Sequence, residues 1–498
     1  MNKVSVIGSG FSGLAAAAFA AAGGNDVHIF EKNAQIGGRA RAFVHNGFVF
    51  DMGPSWYWMP DVFEQFFQSF GKHTSDYYQL KKLDPGFQII FGKDDVLEVP
   101  ADVTQLYSVF EQIEKGSALK LRRFLDEAAF KYEVGMKKLV YKPAFSWLEY
   151  ATWDVLKGVS RTHMFTSVQS YVRSFFKDPR LIALLEFPVL FLGAMPDSIP
   201  ALYTLMNYSA LVQGTYYPVG GMLKVIDGMR QLCEELGVNI HLETEVTGIH
   251  VQNGKASGIH TSRGLFDTDA VVGAADYHHV EQRLLPEHLR NYSEKYWSGK
   301  TFAPSCLIFY VGVKRKIKGL FHHNLYFDTD FALHAREIYR EKRWPKDPLF
   351  YVCCPSKTDD SVAPEEMENL FILVPVATGL EDSESVRDEY FDRLIERMER
   401  YSGDSFKDDI IYKRSYSVND FVKDYNAYGG NAYGLANTLS QTAVLKPSLR
   451  NKRVQNLFYA GQLTVPGPGV PPSLISGRLA AHQVNQYLLK NRDYETTL

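Results

Sequence analysis

Apolar residues in the first thirty positions fall into three blocks. Val4, Val6 and Ile7 make a short β-type run, residues 14–22 are an almost unbroken helix-forming stretch closed by Gly23-Gly24, and residues 27–30 are a second β run ended by Glu31. The order predicts strand, tight turn, helix, strand. Further β runs are expected at 48–50, 239–242, 245–249, 305–313, 349–354 and 369–376. Helical spacing is expected over 223–236 and again over 473–489, where Leu474, Ile475, Leu479, Val484 and Leu488 recur at helical intervals. No apolar run reaches the ~18 residues of a membrane-spanning helix. No internal repeat and no low-complexity tract is visible.

The first turn carries chemistry. Gly8, Gly10 and Gly13 stand in G-x-G-x-x-G spacing, with Phe11 and Ser12 between them and a strand before and a helix after. Such a turn brings backbone N–H groups and the positive end of a helix to a pyrophosphate. Glu31, at the end of the second strand, is placed to accept hydrogen bonds from a ribose diol. Glycines interrupt the alanine-rich stretch after Lys3, so it does not read as a signal peptide.

The segment that follows adds Gly37-Gly38-Arg39, a flexible backbone with a guanidinium able to neutralise pyrophosphate, and then Asp51-Met52-Gly53-Pro54. Near the other end, residues 457–481 run from a β-type stretch through Gly461, Gln462 and a Gly/Pro-rich loop with Gly469, Val470 and Pro471 into the last helix. That loop offers bare backbone to a flat ring, and the helix start offers positive dipole to its edge.

These motifs, with Tyr217–Met222 reading Tyr-Pro-x-Gly-Gly-Met, resemble the bacterial carotenoid desaturases of the phytoene desaturase type, hydroxycarotenoid 3,4-desaturases included, within the flavin amine oxidase-like superfamily. The resemblance covers nearly the whole chain. It departs where relatives read Gly-Ala-x-Thr-His-Pro-Gly and this chain reads Gly461-Gln462-Leu463-Thr464-Val465-Pro466-Gly467. The resemblance implies an α/β protein with a discontinuous Rossmann-like FAD-binding domain (1–75, 216–280 and 450–498). It adds a substrate domain on a mixed or antiparallel sheet (76–130 and 281–449) and a helical, membrane-associating lid (131–215). It implies FAD held by Gly8, Gly10, Phe11, Ser12, Gly13, Glu31, Lys32, Gly38, Arg39, Gly53, Pro54, Val246, Gly461, Gln462, Gly469, Val470 and Pro471. The implied reaction moves a hydride from a carotenoid to flavin N5, with oxygen or a membrane quinone as final acceptor. Glu149 is the candidate proton acceptor, with Asp154 close by as a second. Alternatives in the same superfamily are a carotenoid isomerase, an amine or porphyrinogen oxidase, and a flavoprotein that escorts prenylated proteins.

Composition trims these readings. Among 498 residues, 54 basic and 57 acidic side chains give a net charge of −3, which offers nucleic acid no partner. Four cysteines without C-x-x-C spacing argue against a disulfide framework and against a metal site, and His278-His279 and His322-His323 are expected to be ordinary core or surface residues. No second G-x-G-x-x-G opens another βαβ unit, so the flavin is not expected to exchange electrons with NAD(P)H. Residues 131–177 hold eight Lys/Arg against three Asp/Glu, interleaved with Trp147, Trp153, Phe165, Tyr171, Phe175 and Phe176. A helix pair of this kind suits a lipid headgroup layer. The expected location is cytoplasmic, peripheral to the inner face of the cell membrane.

Overall fold

The computed structural model describes residues 1–150 and 163–495. Its first layer is a five-stranded parallel sheet in the order Leu457–Tyr459, Ala270–Gly273, Lys3–Ile7, Asp26–Phe30, Asn239–His241. Strand order reverses beside Lys3–Ile7: the chain goes one way to Asp26–Phe30 and returns on the other side with Ala270–Gly273. In open parallel sheets the crevice beyond the strand C-termini at such a reversal is where ligands bind.

The helix Phe11–Ala22 is buried nearly all round because it lies between this sheet and the helices Leu223–Glu235 and Val470–Glu495. Its alanines let backbones come close. At Gly477 of the last helix a Cβ would stand 2.3 Å from the carbonyl oxygen of Ser12, so this crossing requires glycine. The last helix starts at Val470, ahead of the expected 473, because Pro471 and Pro472 fit a first helical turn, where no N–H is needed.

The second layer is a seven-stranded mixed sheet. Its order is Ile410–Tyr416, Ser305–Val313, Glu368–Val376, Phe350–Cys353, His323–Tyr326, Phe87–Gly92, Asp95–Val99. All neighbours are antiparallel except His323–Tyr326 beside Phe87–Gly92. Alternate residues serve opposite faces. Leu307, Phe309, Val311, Leu370, Ile372 and Val374 form one core with Leu394 and Ile395 of the helix Glu384–Ser402. Cys306, Ile308, Tyr310, Tyr351, Phe371 and Leu373 belong to another, shared with the helical region. Burial on both faces explains why these strands read as unbroken apolar runs.

The helical region packs Ser117–Val134, Val168–Phe175 and Pro179–Glu186 against that second core. Its aromatics are not uniformly outward as expected. Tyr171 and Phe176 are buried, because helical spacing puts them on one face with Val168 and Val172. The apolar residues Leu184, Leu185, Phe187, Val189 and Leu192 are also interior. Phe145, Leu148 and Phe165 remain outside, at 40%, 80% and 87% exposure. Trp153 and Asp154 lie outside the described residues. Among those residues no helix is long and apolar enough to cross a membrane.

A cavity joining a nucleotide cradle to an apolar chamber

A cavity of about 500 Å³ opens at the C-terminal ends of Lys3–Ile7 and Asp26–Phe30 and runs between the two layers. Of the residues expected to hold a cofactor, all but Gly13 line it. Gly13 stands one step behind: a Cβ there would be 2.0 Å from the Gly8 carbonyl oxygen, so it joins helix to turn rather than facing the cavity. At Gly10 a Cβ would meet no atom within 4 Å, and the backbone there faces open space.

Glu31 is buried, and its carboxylate closes the strand end onto the glycine turn. One oxygen accepts from the N–H and hydroxyl of Ser9 at 3.1 and 2.6 Å, and the other from the N–H and side-chain amide of Asn33 at 2.9 and 2.8 Å. Lys32 donates to the carbonyl of Lys423 at 2.7 Å. Arg39 is the strongest sign of a ligand. Its Nη2 donates to the Asn431 carbonyl at 3.1 Å, but its buried Nε has no partner among the described residues. Burial pulls the guanidinium's pKa down, and the nearby Asp276 opposes that. A buried guanidinium with an unpaired edge beside an open glycine turn fits a diphosphate. From the other end of the chain come Gly461, Gln462 and Gly469, with Val470 and Pro471 of the last helix's first turn.

The rest of the cavity differs in kind. Trp56, Met136, Phe187, Leu192, Leu325 and Leu373 are among its walls. Among the described residues, those lining it between 54 and 206, and between 304 and 375, include no Asp, Glu, Lys or Arg. The titratable groups here are neutral at ordinary pH. Burial pushes the Tyr351 and Tyr433 hydroxyls well up, lifts the Cys306 thiol to about 12 and lowers His334 to about 4. The charged lining residues (Glu31, Lys32, Arg39, Glu245, Asp276 and Asp424) all belong to the cradle.

Glu149 is not among the lining residues. Its carboxylate accepts the backbone N–H groups of Ala144, Phe145 and Ser146 at 3.0, 2.9 and 3.2 Å, which makes it the anchor of its own turn. The histidine pairs include one cluster that chain spacing conceals. Register places His323 opposite Cys353, and donor atoms of His322, His323 and Cys353 all lie within 4.8 Å of one another. Beside them Tyr351, Ser55 and Trp56 reach the chamber wall. None of these three carries a sequence signal, because their meeting depends on cross-strand register.

The sequence pattern of the family described as flavin containing amine oxidoreductase matches residues 11–485. The carotenoid 3,4-desaturase of Haloarcula japonica is 42% identical over 484 residues, covering 96% of this chain and 97% of its own. The zeta-carotene-forming phytoene desaturase of Myxococcus xanthus is 31% identical, over 97% of this chain and 94% of its own. Among solved structures, an oxidoreductase from Methanosarcina mazei superposes with a TM-score of 0.62 at 16% identity, over 95% of this chain and 98% of that one, a likeness of fold. The chain therefore belongs to the flavin containing amine oxidoreductases, in their carotenoid-desaturase branch, a family of FAD-carrying oxidoreductases whose cofactor fits the cradle described above.

Proposed function

We propose that this protein is an FAD-dependent desaturase that introduces C=C bonds into an acyclic or monocyclic carotenoid, with the 3,4 bond of a 1'-hydroxycarotenoid as its preferred target. The observation that carries this reading is the two-part cavity: a charged cradle opening into a chamber with no charged side chain among the described residues. A polyene hydrocarbon asks only for apolar contact, worth about 25 cal/mol per Å² removed from water. A substrate ammonium is held best by a carboxylate, and among the described residues the chamber lining contributes none. The 42% identity to a carotenoid 3,4-desaturase supports the choice of bond.

In this reading Gly8, Gly10 and Arg39 hold the diphosphate of FAD and Glu31 its ribose, while Gly53, Pro54, Gly461 and Gly469 face its ring. FAD, when bound, supplies the hydride acceptor. The chamber's side chains align the substrate chain and keep water away.

Entry from a bilayer fits the surface. Phe145, Leu148 and Phe165 are exposed on the helical region whose residues 131–177 hold eight Lys/Arg against three Asp/Glu. Apolar side chains among cations suit the headgroup layer of the membrane's inner face. Oxygen or a quinone then reoxidises the cofactor.

The test is product analysis in cells that make either phytoene or a 1'-hydroxylated γ-carotene, by absorption and mass. Loss of two hydrogens from the hydroxylated substrate alone is expected. Coloured product from phytoene would reassign the enzyme to early multistep desaturation. No change of mass in either strain, with FAD bound, would sink the desaturase reading and favour an isomerase or oxidase.

A further inference from the structure

We infer that Tyr351 and His323 form a proton relay in the chamber wall: the tyrosine hydroxyl takes the proton lost by the substrate and passes its own to the buried imidazole. The inference deepens the desaturase reading and rests on it. Desaturating a CH2–CH2 unit breaks two C–H bonds. One hydrogen leaves with its electron pair, to the flavin that the proposed activity supplies. The other leaves as a proton while its C–H electrons become the new C=C bond. That proton needs an acceptor in a chamber whose lining between 54 and 206, and between 304 and 375, has no carboxylate and no amine among the described residues.

Two imidazoles stand near this chamber, and they are not equivalent. His334 accepts the Leu349 N–H on Nδ1 at 2.8 Å and directs Nε2 to the Pro375 carbonyl at 3.2 Å. Both its nitrogens are tied to backbone, so the ring is a neutral structural link. His323 is fully buried, and its Nδ1 meets the Tyr351 hydroxyl at 2.6 Å. Its Nε2 has no partner among the described residues. Trp56 stacks on this ring at 4.0 Å and 12° and fixes its plane.

The Tyr351 oxygen also lies 2.9 Å from Ser55 Oγ. Tyr351, Ser55 and Trp56 line the chamber, whereas His323 stands behind them. In this inference Tyr351 is the group that meets substrate, and His323 acts through it. A hydroxyl held between a cavity and an imidazole lone pair gains a proton on one side as it gives one up on the other. A C–H beside a cation spread along a polyene is strongly acidic, so a neutral buried imidazole is basic enough. Ser55 also borders a second cavity of about 20 Å³, the size of a single water, with Asp51, Tyr217, His322 and Cys353. His322 Nδ1 meets the half-buried Thr358 hydroxyl at 2.8 Å.

The experiment compares wild type, Tyr351→Phe, His323→Gln and the double variant. Each is FAD-loaded in liposomes holding the carotenoid that wild type desaturates. Tyr351→Phe is expected to lower kcat about 100-fold with KM and FAD content unchanged. His323→Gln is expected to lower kcat about tenfold or more, and the double variant no further than Tyr351→Phe alone. That non-additivity separates a relay from two structural roles. Tyr351→Phe within about twofold of wild type would overturn the relay, and so would losses that multiply in the double variant. Stoichiometric zinc in the purified protein, lost in Cys353→Ser, would also overturn it, since the imidazoles would then be ligands. If wild type makes no product from any carotenoid, the desaturase reading falls and the relay with it. Product from wild type and Tyr351→Phe alike removes the relay only.

Discussion

The two ends of the cavity are built on different principles. The cradle is made of backbone: glycine turns, helix starts and strand ends, with Arg39 and Glu31 as its main charged side chains. The chamber is made of side chains projected from one face of a sheet and from packed helices. The first asks for particular backbone conformations, and the second asks for apolar volume in the right place. Change at the first should therefore be all-or-none, and change at the second graded.

The largest contrast lies between neighbouring glycines. Gly13→Val would push a side chain into the Gly8 carbonyl 2.0 Å away, and the fold of the nucleotide layer should fail. Gly10→Val places its Cβ where no atom lies within 4 Å. It should fold with the apo chain's melting temperature, yet retain FAD about 100-fold more weakly, on the order of 3 kcal/mol. Flavin absorbance after gel filtration, beside a melting curve, reads both. Equal behaviour of the two variants would dissolve the distinction between framework and cradle.

Neighbouring positions of Glu368–Val376 provide the next test. Val374→Ala, on the face toward Glu384–Ser402, should lower stability by about 1–3 kcal/mol and leave the product unchanged. Leu373→Phe, on the chamber face, should change the distribution of products while the melting temperature stays close to wild type. Denaturant unfolding and chromatography of extracted pigments would check the pair.

A pH effect should come from Glu281, behind the parallel sheet. Burial lifts its carboxyl to about 7, although the N–H groups of Asn291 and Tyr292 and the Tyr459 hydroxyl favour its charged form. A folded-state pKa above the unfolded one means that the folded chain holds the proton more tightly. The contribution to stability is complete below about pH 4 and is lost as pH rises through 7. Between pH 5 and 8 wild type should lose on the order of 2 kcal/mol from this group. Glu281→Gln should flatten that part of the curve.

The smallest effect is expected at Glu149. With its carboxylate turned to three backbone N–H groups, Glu149→Gln should leave kcat within about twofold of wild type, and a larger fall would return it to the reaction.

The same difference governs what could be read in the sequence. The glycine turn, Glu31 and Arg39 lie within forty residues, and local spacing carried their meaning. The three central strands Ser305–Val313, Glu368–Val376 and Phe350–Cys353 were legible because burial on both faces leaves apolar runs. The chamber wall was not legible. Ser55 and Tyr351 stand 296 positions apart, and His323 and Tyr351 28 apart, joined only by sheet register. Tyr171 and Phe176 looked like surface aromatics because basic residues surround them in the chain, while helical spacing turns them inward. Glu149 stood out through the resemblance and its place among aromatics, neither of which reveals which way a carboxylate points.

The alternation in the seven-stranded sheet has a consequence for descent. One parity of each central strand packs on the helix behind the sheet, and the other supplies chamber walls at Cys306, Ile308, Tyr351 and Leu373. A lineage can therefore revise the length or end group of the molecule it accepts by drifting at these wall positions, while the helix behind the sheet stays docked. Two inheritances run along one strand with little interference, and this offers a physical route by which one scaffold diversifies among related pigments.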